Sequence, residues 1–539
     1  MIFGQTMQAD DAGPRAGAAS VPHGTALALG LAAIWAVLSA APLTQGALTL
    51  NRHEGDAMHL ADLVLRMAQG ERPHLDFMTP IGAAALAPIA GFVALGAGLG
   101  TAFLLAQAAV AAVLLPALWW AGLTRFGGGL LGLAFGAAGI ALCVALVHGG
   151  PDAAVSVSMH YNRWAWAISY VLLALLILPA ARPAPRLEGA ILGLGFAALA
   201  LTKMTYFVGL APVALAALAL RREGAHALWA LLAGAGAAGV VTALAGPAFW
   251  GAYLGDLLTV ASSESRAAPG LSAVEVLSAP THLGATLVLL AAVALLRRAG
   301  QGAEGALLLA AVPGFTLITW QNYGNDPQWL PWLALALLAL RPGGPRGQPH
   351  LAAALVAAAL ALPSLMNVAT SPVRTLSGWA EDGVPLLGGL PGHDDLRIAA
   401  ARTETVLSEV PAPAFADPPE PEFWGRALPD CTRVHGGMRS YAAMTAELEA
   451  AGFAGRPAFV ADTMQSLWMF GDVPRLPDGA PWYYGGLPGG AAAEIMVVPL
   501  CPVAPDARGR ALAALAATGW PVTEVFRGAH AAVLEIDRR

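Results

Sequence analysis

Apolar segments long enough to cross a bilayer recur through the first 370 residues, and they constrain this chain more than any motif does. They lie near 25–47, 101–122, 129–148, 164–181, 187–203, 204–220, 226–248, 281–296, 303–320, 327–341 and 350–370. With 57% hydrophobic and 12% charged residues and a mean hydropathy of +0.61, the chain has more apolar surface than a soluble domain of this length buries. A polytopic membrane protein follows. The net charge of −6, with no basic cluster, excludes nucleic acid as a natural partner and leaves the lipid bilayer.

The arginines set the topology. Arg125, Arg182 with Arg186, Arg221 with Arg222, Arg297 with Arg298, and Arg341 with Arg346 fall between apolar segments, and basic residues mark cytoplasmic loops. This assignment requires residues 187–220 to cross twice around a tight turn near Lys203. It also requires 81–98 to form a re-entrant or interfacial helix. The expected fold is an all-α bundle of about eleven transmembrane helices over 25–370, with its first outer loop at 48–100. Residues 1–24 read as a cytoplasmic tail. They carry Asp10, Asp11 and Arg15 in place of the basic start and cleavage site of a secretory signal, so the first span reads as a retained anchor.

From about residue 371 the composition changes, with turn-rich runs such as Pro418–Pro421 and Leu487–Gly490 and no further span. Residues 371–539 read as a small soluble α/β domain on the outer side. Ala458–Ala461, Ile495–Val498 and Ala532–Ile536 are short buried strands by pattern, and 441–451 and 508–518 are helices. The domain has no nucleophile elbow, phosphate loop or metal spacing. Cys143 lies in an apolar segment. Cys431 and Cys501 pair if the domain faces an oxidising compartment, and are otherwise two buried thiols.

The face opposite the arginines collects the chemistry. Its first loop holds Glu54, Asp56, His74 and Asp76, and its second holds His148, Asp152, His160, Tyr161, Asn162 and Arg163. Lys203, Ser263 to Arg266, and Gln321 to Asp326 follow. Carboxylates, histidines and amides gathered at span ends point to a site on that surface.

In the first loop, Ala57, Leu60, Ala61, Val64 and Ala68 recur at helical spacing, with Asp62 and Arg66 paired at i,i+4 on another face. The pattern predicts a helix lying on the membrane surface, ended by Gly70, with Pro73 preventing its resumption. Asp56 falls at or beside the N-cap and Glu54 just before it, so capping the helix and activating a substrate are both open to this acidic pair.

The order of these features resembles the GT-C superfamily of membrane glycosyltransferases, which includes the protein O-mannosyltransferases and the lipid A aminoarabinose transferase. The resemblance rests on a first span, an acidic pair opening an outer loop, a surface helix, and the Gly-x-x-Pro-x-x-Asp-Phe-x-x-Pro-x-Gly phrase from Gly70 to Gly82. Tyr161-Asn162-Arg163-Trp164 before a span, Thr202-Lys203 at an outer turn, and a soluble domain after the last span extend it. It implies an inverting transfer of a sugar from a polyprenyl-phosphate carrier to a glycan, lipid or protein acceptor. The setting it implies is a bacterial inner membrane with the C-terminal domain in the periplasm. In such enzymes an acidic residue of the first loop activates the acceptor hydroxyl. Where many members have adjacent acids this chain has His53-Glu54, with Asp56 two residues later; the family register makes Glu54 the first candidate and Asp56 the second. Lys203, Arg163 and Arg52 are the cations expected on the donor phosphate. His74, Asp76, His160, Tyr161, Asn162, Gln321 and Asn322 are expected to line the substrate site. His74, His148 and His160 lack the fixed spacing of metal ligands, and no cofactor is expected. A non-catalytic scaffold of envelope glycan assembly and a secondary transporter are the rival classes. The transporter should carry its charges mid-span, whereas here they sit at span ends.

Overall fold

In hydrocarbon a backbone has no water to bond, so each apolar segment closes its own hydrogen bonds as a helix. The computed structural model describes residues 21–149, 153–265, 272–322, 325–377, 382–388, 390–409 and 428–538. Asp10, Asp11, Arg15, Asp152, Arg266, Tyr323, Gly324 and the Pro418–Pro421 run lie outside the described residues.

The chain opens with α1 (Val21–Leu43), a short strand β1 (Leu48–Leu50), α2 (Glu54–Ala68) and α3 (Ala83–Ala94). The bundle continues through α4 (Leu99–Arg125), α5 (Leu130–Val144), α6 (His160–Ile177), α7 (Pro185–Thr202), α8 (Met204–Arg221) and α9 (Gly224–Ala245). Then come α10 (Ala248–Ala261), α11 (Ala273–Ser278), α12 (Pro280–Arg298), α13 (Gly302–Gln321), α14 (Trp329–Ala339) and α15 (Gln348–Ser377).

Among the described residues, eight helices are long and apolar enough to cross a membrane: α1, α4, α7, α8, α9, α12, α13 and the run ending in α15. The three other expected spans correspond to α5 and α14, which are shorter, and to α6, which opens with His160-Tyr161-Asn162-Arg163 and is buried along nearly its whole length. With twelve residues, α3 is too short to cross. Between α7 and α8 stands only Lys203, in extended conformation, so the tight turn read from the sequence is present. The arginine-marked ends gather away from it. Arg125 is bidentate to Glu188, with its Nη1 at 3.0 Å and its Nη2 at 2.9 Å, and His226 Nε2 lies 3.1 Å from the same carboxylate.

The C-terminal part begins with β2 (Gly383–Pro385), β3 (Leu396–Ala399), β4 (Val406–Glu409) and β5 (Cys431–His435). It continues with α16 (Gly437–Ala450), β6 (Ala458–Val460), β7 (Ile495–Pro499), α17 (Pro505–Ala517), β8 (Val522–Arg527) and β9 (Ala531–Ile536). The three strands and two helices read from pattern are all present, and the three strands, joined by β8, which the pattern did not indicate, form a four-stranded sheet of order β6-β7-β9-β8. Phe459, Met496, Val498, Leu512, Leu515 and Leu534 fill its apolar core. Cys431 and Cys501 form a disulfide.

This domain is threaded into the first loop. β1 pairs in parallel with β3, Leu48 opposite Leu396. The Asp395 carboxylate accepts hydrogen bonds from the backbone N–H of Gly100 (3.1 Å) and Thr101 (2.7 Å), capping the N-terminus of α4. Consequently α2 is not the exposed surface helix that its pattern suggests. Met58, His59, Leu60, Leu63, Val64, Leu65 and even Asp62 and Arg66 are buried. The i,i+4 pair exists, Arg66 Nε donating to Asp62 at 2.6 Å, but Ser466 of the C-terminal domain also donates to Asp62 at 2.7 Å. The polar face faces protein, because the domain covers it.

One glycine of the Gly70–Gly82 phrase has a steric reason. A Cβ at Gly82 would stand 2.0 Å from the Leu201 carbonyl oxygen, two residues before Lys203. We expect Gly82→Ala to push the α7 terminus aside and to cost about 1–3 kcal/mol, read as a lowered unfolding temperature in detergent. An unchanged temperature would contradict this packing.

Candidate functional site

A helix turns about 100° per residue, so the two acids of α2, two positions apart, point to different sides. Glu54 faces the C-terminal domain. Both its oxygens are held by Arg402, whose Nη2 donates at 2.9 Å and 2.7 Å and whose Nε donates at 3.2 Å. Asp56 faces the bundle and accepts a short hydrogen bond from the Ser158 hydroxyl. With His59 and Leu60, three and four residues on, it forms the α2 side of a cavity of about 370 Å³.

The rest of that cavity has two characters. Ser158, Tyr161, Lys203, Gln321 and Asn322 complete its polar part, and Val208, Leu257, Val260 and Leu317 of α8, α10 and α13 form an apolar wall. Lys203 reaches it because the α7–α8 break leaves it at the cavity edge, with Nζ 5.2 Å from the Tyr161 ring centroid. Val208 is also 51% exposed on the flank of the bundle, so the apolar wall runs out to the surface that lipid would cover. The volume suits a small ligand group, and apolar walls with a few convergent polar groups are the usual composition of such sites.

The helix start is held in a specific conformation. His53, the residue before α2, has φ 60°, and Met159, the residue before α6, has φ 54°. Left-handed backbone is disfavoured for such side chains, and it persists where surrounding contacts impose it. At His53 these are a 3.2 Å contact of Nδ1 with Ser156 Oγ and stacking on His148 at 4.3 Å. Burial lowers the His53 pKa below its ordinary value, so the ring is neutral at pH 7.

Of the sequence candidates, Asp56, Lys203, Tyr161, Gln321 and Asn322 meet in the large cavity, while Asn162 sits behind Asn322 and donates to it at 3.0 Å. The others are elsewhere. Arg163 is buried and bonds backbone through Nε, 2.9 Å from the Ala145 oxygen, and through Nη1, to the Val147 and Ser158 oxygens, while its Nη2 has no hydrogen-bond partner among the described residues. It fixes the segment between α5 and α6 and does not line the large cavity. His160 ties α6 to α3, its Nε2 2.9 Å from the Ala85 oxygen. His74 is pinned to Asp256 of α10 at 2.9 Å. Asp76 closes its own turn on Arg72, accepting from the backbone N–H at 2.7 Å, and the Arg72 side chain holds its carboxyl below the usual range. Arg52 is exposed and lines neither that cavity nor the smaller one beside Glu54. The helix-cap role considered for Asp56 is also absent: the helix starts at Glu54, and the cap residue His53 makes no side-chain capping bond.

Sequence reasoning missed His59, Ser158 and Tyr484, which line the large cavity, and Arg402, which holds Glu54. The first was detectable, since it lies one turn beyond Asp56 on the same face. The last two come from the C-terminal domain and carry no local signal. Helix α10 was missed as well, although it supplies both Asp256 and part of the apolar wall. Among the described residues, no group of three or more His, Cys, Asp or Glu is placed to hold a metal ion. No family model matches this chain, and neither the curated proteins nor the solved structures contain a significant match to it.

Proposed function

We propose that this protein is a membrane glycosyltransferase that moves a sugar from a polyprenyl-phosphate carrier to an acceptor hydroxyl on the non-cytoplasmic side, with Asp56 as general base. One observation carries the reading: Asp56 and Lys203 share a cavity whose opposite wall is apolar and reaches the flank of the bundle. A prenyl chain suits that wall, while its phosphate suits the ammonium. In the reaction the acceptor oxygen attacks the anomeric carbon and its proton passes to the Asp56 carboxylate. The bond from that carbon to the phosphate oxygen breaks, and the departing lipid phosphate keeps the electron pair, stabilised by Lys203. Attack opposite the leaving group inverts the anomeric centre. The cavity end of the bundle is the one away from the arginine-marked loops, and the Cys431–Cys501 disulfide suits an oxidising compartment.

The test is turnover of a panel of polyprenyl-phosphate sugars by purified protein in liposomes, read as released polyprenyl phosphate. Lys203→Ala should lower kcat/KM on the order of 10²-fold, the usual loss when one transition-state charge partner is removed. Wild-type rates in that variant would remove Lys203 from the reaction, and no turnover of any donor together with substrate counterflow in sealed vesicles would replace the transferase by a transporter.

A further inference from the structure

A second cavity, of about 250 Å³, opens between the start of α2 and the C-terminal domain. Arg402 and Arg433, with His435 beside them, line one side, and Glu54 and Asp56 face it from α2. Arg402 is committed to Glu54, and its Nη1 lies 3.2 Å from His435 Nε2. Arg433 is different. It is 7% exposed, and its Nε and Nη1 have no hydrogen-bond partner among the described residues. Asp462, the carboxylate that acts on it, accepts instead from the backbone N–H groups of Thr463 (2.7 Å), Val503 (2.7 Å) and Ala504 (3.0 Å). Burial pulls the Arg433 pKa below its ordinary value, as expected for a desolvated cation lacking a full partner.

Buried guanidinium donors left open are costly and rare in folded proteins. Glu54 engages Arg402 and Asp56 engages Ser158, so Arg433 is the guanidinium of this cavity whose donors remain open. Asp56 lines both cavities, so a group held at Arg433 belongs to a molecule that reaches the base from the side away from the lipid-facing wall.

We propose that the second cavity docks an anionic group, phosphate or carboxylate, of the acceptor whose hydroxyl is presented to Asp56. The planar fork of Arg433 matches either anion. Calling the ligand the acceptor rests on the transferase reading; the anion site rests on Arg433 alone.

The test is calorimetric titration of the full chain in lipid nanodiscs with inorganic phosphate and, separately, with glucuronate. One of them should bind saturably. Arg433→Gln should weaken that binding about tenfold or more, and Arg433→Lys should retain part of it. Glu54→Gln, which releases Arg402, should tighten it several-fold. Equal affinity in the wild type and Arg433→Gln, or no binding of either probe at millimolar concentration, would overturn the proposal. The probe that binds identifies the acceptor's anion. Arg433-dependent binding in a protein that turns over no polyprenyl-phosphate sugar would sink the transferase reading and leave the anion site standing. Transfer without Arg433-dependent binding would do the reverse.

Discussion

Asp56→Asn is expected to lower sugar transfer by about 10²- to 10⁴-fold, the range over which a positioned general base acts, with little change in unfolding temperature. The amide keeps the shape and can still accept from the Ser158 hydroxyl, so the local fold has no reason to move. What it cannot do is take a proton. Initial rates from a polyprenyl-phosphate sugar with purified variants decide the matter. The informative comparison is Glu54→Gln. Glu54 is the carboxylate that sequence order favours, yet it is clamped bidentately by Arg402 and lies off the large cavity. Its substitution should leave more activity than that of Asp56. If Glu54→Gln is the dead enzyme and Asp56→Asn turns over normally, the assignment of the base is inverted.

The largest stability effect is expected at Asp62→Ala. Asp62 is fully buried and Arg66 is 3% exposed, and the pair extends through Glu71 (3.0 Å from Arg66) to Arg475 (2.5 Å from Glu71). Removing Asp62 leaves Arg66 with only Glu71, which Arg475 shares, and breaking a buried pair typically costs about 3–5 kcal/mol, more than the pair itself contributes. Ser466 loses its acceptor at the same time, so the seam between α2 and the C-terminal domain opens. Thermal unfolding in detergent should shift down by roughly 10 °C, and proteolysis should release the domain. Replacing both partners by apolar residues, Asp62→Leu with Arg66→Met, should recover most of the loss. Wild-type stability in the single variant would mean that the pair is hydrated in solution.

Local and periodic features were legible in the sequence. The α7–α8 break at Lys203, the strands at 458, 495 and 531, and the Asp62–Arg66 pair all follow from spacing over a few residues. What could not be read depends on partners far along the chain. The role of Glu54 turns on Arg402, 348 residues away, and the burial of α2 turns on the domain that covers it. Arg163 looked like a cation for phosphate because its sequence position lies at a span start; its side chain turns inward to backbone carbonyls left open where α5 ends. Helix α10 escaped because its fourteen residues, although apolar, are shorter than a bilayer crossing.

The pairing of β1 with β3 has a consequence for synthesis. Leu48 leaves the ribosome 348 residues before its partner Leu396, an interval of tens of seconds at ordinary elongation rates. Until then α2 has neither Arg402 nor Ser466, and the acidic end of the first loop is unclamped. The inserted helices alone therefore lack a finished first loop, which closes only when the later C-terminal strands and Ser466 pack against it.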